Sequence, residues 1–178
     1  MQVFSNIVTN MNEKKRVYNP RSLKKLCMKV IANNESKFSN FSQLTSELAR
    51  QLQEFFSERF MLDSLPILNK FLWSERKDLE LKELFLDDSQ VLSILKKVPN
   101  LERLKLLFDI DLTGKCLIEI PNFCPNLKEL VLDLKLEDKC FCEMAQKFAE
   151  KEIGLERLEI TKCEKISDKS FSCYHCVF

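Results

Sequence analysis

A short apolar pattern returns four times in the second half of this 178-residue chain. Leu81-Lys-Glu-Leu84-Phe-Leu86 has the form LxxLxL. It recurs at Leu101-Glu-Arg-Leu104-Lys-Leu106, Leu127-Lys-Glu-Leu130-Val-Leu132 and Leu155-Glu-Arg-Leu158-Glu-Ile160, with starts 20, 26 and 28 residues apart. A period of roughly 20–29 residues means that each unit is one strand with a helical return, unable to bury its apolar face except against a neighbour. The segments between agree. Val98-Pro99-Asn100-Leu101 and Cys124-Pro125-Asn126-Leu127 are two copies of one turn, and helix-like apolar stretches (Val91 to Leu95, Leu117 to Phe123, Phe141 to Phe148) fill the returns. The expected class is α/β, a short parallel sheet plus helices.

Alternation along a strand then sorts the side chains. Leu84, Leu104, Leu130 and Leu158 are expected in one buried column, and Leu86, Leu106, Leu132 and Ile160 in the next. The outward positions are Glu83, Phe85, Asp87; Arg103, Lys105, Leu107; Glu129, Val131, Asp133; and Arg157, Glu159, Thr161. The column Glu83, Arg103, Glu129, Arg157 alternates in sign, as a self-neutralising ladder would, each exposed pair contributing about 0.2–1 kcal/mol. Phe85, Leu107 and Val131 are the better anchors, as exposed apolar side chains with no structural task, and with Lys105 and Glu159 they make up the candidate partner surface.

The first half follows other rules. Residues 1–19 read as a mobile basic tail. From Pro20 a helix is expected, with Ser22 as its N-cap and Leu23, Leu26, Cys27, Val30 and Ile31 on one face, opposite Lys24, Lys25 and Lys29. Asn33-Asn34 ends it. A second helix follows Ser42 or Thr45, and a third starts near Asp63-Ser64 with Pro66 in its first turn. The chain thus divides into a tail (1–19), a three-helix unit (20–75), about four repeats with the last incomplete (79–168), and an uncapped apolar tail (169–178). The array has no polar closing unit, so either it is truncated or a partner covers its end.

Composition narrows the function. One histidine and two glycines leave little material for histidine catalysis or phosphate loops, so no enzyme and no cofactor is expected. A net charge of +1 gives no field for nucleic acid, although residues 1–35 carry seven basic against two acidic side chains. Cys173-Tyr-His175-Cys176 lacks a second ligand pair, so no metal is expected. The opening residues show no secretory leader and no apolar run spans a membrane. The eight cysteines then read as reduced core residues of a cytoplasmic or nuclear protein.

The second half resembles cysteine-containing leucine-rich repeats, with Cys163 where such repeats close the strand-to-loop turn. In the first half, Ser22-Leu23-x3-Cys27-x3-Ile31 resembles the BC box of von Hippel–Lindau and SOCS-box proteins, and Leu44, Leu48 and Leu52 stand where a cullin-two box follows, with Thr45 in place of its usual proline. The whole order is similar to the zyg-eleven and zer-one substrate receptors of cullin-two ubiquitin ligases. The resemblance implies a non-catalytic receptor in which Leu23, Leu26, Cys27 and Ile31 dock elongin C, with elongin B and cullin-two as further partners and a protein substrate on the repeats. An F-box receptor and a repeat scaffold without a ligase role are the alternatives.

Overall fold

A computed structural model describes residues 20–58, 65–82, 86–107, 112, 114–133 and 137–161. The chain forms two compact units, Met1–Glu35 and Ser36–Phe178. The first contributes helix α1 (Pro20–Asn33). It starts at Pro20 itself, where a missing N–H costs nothing, so Ser22 lies inside the helix and is not its N-cap. Asn34 closes it, donating its backbone N–H to the Ile31 carbonyl at 3.1 Å and its side-chain amide to the Val30 carbonyl at 2.9 Å.

In the second unit, α2 (Ser46–Ser57) opens on Thr45, whose hydroxyl accepts the Leu48 N–H. That choice satisfies one of the orphan donors of the first turn. Its inward face is Ala49, Leu52, Gln53, Phe55 and Phe56. A short α3 (Leu65–Asn69) follows, with Pro66 in its first turn; Asp63 and Ser64 lie outside the described residues. Phe41, Phe56 and Phe71 form an aromatic cluster with ring centroids 4.8–6.1 Å apart, within the range that edge-to-face and tilted pairs prefer.

The remainder alternates strand and helix: β1 (Asp78–Lys82), α4 (Asp88–Leu95), β2 (Arg103–Leu107), α5 (Lys115–Ile118), α6 (Ile120–Phe123), β3 (Glu129–Asp133), α7 (Asp138–Glu150) and β4 (Arg157–Thr161). The four strands form one parallel sheet in chain order. Parallel neighbours require a crossover, and every crossover here carries helix. The result is an α/β fold consistent with a solenoid-type architecture.

The register corrects one expectation. Leu104 pairs with Leu79 and Leu106 with Leu81, so the first members of the two buried columns are Leu79 and Leu81, not Leu84 and Leu86. Glu83, Leu84 and Phe85 lie outside the described residues, and Asp87 is the N-cap of α4. There its carboxylate accepts the Gln90 N–H at 2.8 Å and Gln90 Oε1 accepts the Asp87 N–H at 3.0 Å, a capping box. The sequence between 76 and 86 offers two frames of leucines two apart, and the backbone takes the earlier. In it, Lys77 O accepts the N–H groups of both Glu102 and Arg103, as Glu102 O does from Lys128 and Glu129, and Lys128 O from Glu156 and Arg157. The unit starts become Arg76, Leu101, Leu127 and Leu155, spaced 25, 26 and 28 residues, more even than the frame read from LxxLxL.

The core fills both columns. Leu81, Leu104, Leu106, Leu130 and Leu132 are fully buried and Leu79 nearly so; Leu158 and Ile160, in the last described strand, are half-buried. Cys116 and Cys124 behave as small apolar core residues. Cys140 Sγ sits against Gly114 and donates to its carbonyl at 3.3 Å. Gly114 has φ +81°, and a Cβ there would lie 2.3 Å from that sulfur, so backbone freedom and close approach both require glycine.

Candidate interaction surfaces

Three surfaces carry the residues that the sequence singles out. On α1, Leu23 is 41% exposed, while Leu26, Cys27 and Ile31 are partly buried. On and before α2, Leu48 is 43% exposed and Leu44 partly buried, but Leu52 is 1% exposed. Leu52 is a core residue and its side chain is not available to a partner. Leu23 and Leu48 are the large apolar side chains left exposed among the described residues. Burying the exposed part of either on a partner would contribute about 1 kcal/mol, since more than half of each is already covered.

The outward sheet face is a web of paired charges. With the corrected register its rows are Asp78, Glu80, Lys82; Arg103, Lys105, Leu107; Glu129, Val131, Asp133; and Arg157, Glu159, Thr161. The first column still alternates, because Asp78 stands where Glu83 was expected. Arg103 lies 4.0 Å from Asp78, Lys105 3.7 Å from Glu80, and Arg157 2.6 Å from Glu159; Thr161 donates to Asp133. The position one residue before this column alternates with opposite phase: Lys77 pairs with Glu102, and Lys128 with Glu156 at 3.6 Å. The two columns together make a checkerboard, +− then −+ then +− then −+. The Lys77 hydrogen bond, with Lys77, Lys128 and Arg103 nearby, holds the Glu102 carboxyl below the ordinary range.

The candidate partner residues separate on this face. Lys105 is exposed, Leu107 and Glu159 are partly buried, and Val131 is only 9% exposed. Val131 therefore belongs with the core and offers little to a partner, and Lys105 and Glu159 are already engaged in ion pairs. Phe85 lies outside the described residues. Beside the sheet, a shallow depression is lined by Arg50, Gln53, Glu54, Ser57, Glu80 and Lys82, with Arg50 paired to Glu47 and Glu54.

Sequence reasoning missed Arg76. It occupies the column of Leu101, Leu127 and Leu155, and it is as buried as they are, at 1% exposure. Its Nε donates to Asp78 O at 2.5 Å, one terminal nitrogen to Phe71 O, and the other to Gln53 Oε1 at 2.5 Å. Its guanidinium lies 5.2 Å from the centre of the Trp73 ring. Gln53 in turn donates to Glu80 O. Burial pushes the Arg76 pKa down to about 10, against the pull of Asp78, so it remains a cation at neutral pH. The signal was available: Arg76-Lys-Asp-Leu79-Glu-Leu81 matches the motif except at its first position, and it restores an even spacing.

Cys27, Cys116, Cys124, Cys140 and Cys142 are free thiols. Burial raises the Cys124 thiol to about 12 and Cys140 to about 11, and raises Cys116 still further. No cluster of three or more metal-ligating side chains occurs among the described residues; Cys163, Cys173, His175 and Cys176 fall outside them. No helix among the described residues is long and apolar enough to cross a membrane.

No protein-family model matches this sequence, and no curated protein matches it. A chain in the crystal structure of the Rad7 and Elc1 complex in yeast is similar in structure, with a TM-score of 0.56 and 20% sequence identity over 89% of this chain. At that identity the likeness is one of fold. This chain spans 42% of the length of that one.

Proposed function

We propose that this protein is a non-catalytic adaptor of the leucine-rich-repeat receptor type, which docks elongin C through α1 and presents a protein substrate on its repeats. The observation that carries the reading is the exposure of Leu23. A leucine on an amphipathic helix ordinarily turns inward, and here the anchor position of the BC-box pattern is the one held out. Cys27 and Ile31 lie on the same side, at i+4 and i+8, the spacing by which a helix lies in an apolar groove. The fold likeness to a chain from the crystal structure of the Rad7 and Elc1 complex in yeast adds support for an adaptor role. Leu48, with Leu44 beside it, is the candidate second contact, for cullin-two.

The test is capture of elongin C by the full chain and by its Leu23→Lys variant. The variant loses the anchor's burial and forces an unpaired charge into the groove, so capture should fall at least tenfold while the thermal midpoint stays put. Undiminished capture by Leu23→Lys, or capture of the F-box adaptor instead, contradicts the reading.

A further inference from the structure

We infer that Arg76 is a positioning residue. It latches α2 onto the first strand, so that the surface around Leu48 is carried in a fixed orientation to the outward sheet face. Three acceptors from separate parts of the chain converge on one guanidinium: Gln53 Oε1 from α2, Phe71 O from the segment after α3, and Asp78 O from β1. A planar fork spreads its donors over three nitrogens, and here each nitrogen reaches a different acceptor, whereas an ammonium gathers its three donors on one atom. Gln53 is used twice, since its amide nitrogen bonds Glu80 O two residues further along the same strand. α2 is thereby stitched to β1 at two points by a single side chain, five residues from Leu48.

A leucine at 76 would serve the apolar column as well as Leu101 or Leu127 does, yet it would leave those three acceptors buried and unmatched. The sequence thus gives up the repeat's own residue at the place where a non-repeat helix meets the array. Trp73 covers the guanidinium from one side. The fully buried Phe56 and Phe71 belong to the same end of the sheet, so water has little access to replace the lost bonds. The inference does not depend on which partner grips Leu48.

Hydrogen exchange of the full chain tests it, on Arg76→Leu and on Gln53→Met, which removes the bridge while keeping the volume. In both variants the amides of Ser46–Ser57 should exchange at least tenfold faster, while those of 104–106 and 130–132 keep their wild-type protection. The double variant should add little to either single change, because both cut the same link. Unchanged exchange in α2 for either variant overturns the latch. Equal loss of protection in α2 and in all four strands also overturns it, since Arg76 would then be a general core residue.

Discussion

At the scale of single residues, the sharpest constraints lie where a side chain meets backbone. Gly114→Ala must place a Cβ against the Cys140 sulfur and hold alanine at φ +81°. Loss of about 1–3 kcal/mol is expected by urea denaturation, with Cys140→Ala in the same chain recovering only part, because the backbone strain remains. Glu152 is the converse case. It sits at φ 54° after α7, where its N–H bonds Ala149 O and the next N–H, of Ile153, bonds Phe148 O, a Schellman ending that prefers glycine. Glu152→Gly should therefore stabilise the chain by about 0.5–1 kcal/mol. The thiols give a pH signature. Cys116, Cys124 and Cys140 have folded pKa values raised by burial, so their contribution is fully present below the ordinary thiol value of 9.0 and is lost as pH rises through the raised values, about 11 for Cys140, about 12 for Cys124 and higher still for Cys116. Stability should start to fall above about pH 9, and alkylation at pH 8 should spare these three until denaturant is added.

Elements were legible in the sequence to the extent that their signals were redundant. Helix α1 ends at the Asn33-Asn34 pair and α2 begins at Thr45, because caps and periodicity point to the same place. The strands β2, β3 and β4 fall on the expected residues, since each combines alternation with a Pro-Asn or Gly lead-in. β1 departs from the LxxLxL frame for a physical reason. Leu79, Leu81, Leu84 and Leu86 offer two frames, and a pattern matched on leucine alone cannot accept an arginine as a core residue. Exposure was no better written: Val131 and Leu52 carry no mark that separates them from Leu107 and Leu48, because neighbours on other strands and helices decide it. For α1 the prediction concerns charge. Its residues include Arg21, Lys24, Lys25 and Lys29 and no acid. If it docks as proposed, any effect of Lys24→Glu with Lys29→Glu on association with elongin C should be greatest at low ionic strength and lie mainly in the on-rate, whereas Leu23→Lys should weaken it at every salt concentration.

Across the whole molecule, the buried leucine columns and the parallel register order the strands, and the checkerboard of charges runs across all four of them. Glu102→Lys combined with Arg103→Glu would place like charges against Lys77 and Lys128 on one column and against Asp78 and Glu129 on the other. The thermal midpoint should fall and should recover in part as salt is raised, since most of these partners are exposed while Asp78 is buried. The depressed Glu102 carboxyl gives the matching acid limit: its contribution is present above the ordinary carboxylate range and is lost as pH falls through its lowered value. A face so occupied with its own pairs leaves Leu23 and Leu48, on the helices, as the exposed large apolar side chains among the described residues, and Leu23 is the proposed anchor for elongin C. Isothermal titration of the full chain with the purified elongin B–elongin C complex addresses this most directly. A saturable one-to-one heat with a negative heat-capacity change from apolar burial is expected, abolished by Leu23→Lys. Absence of binding at tens of micromolar, or the same binding with Leu23→Lys, would contradict the proposed docking.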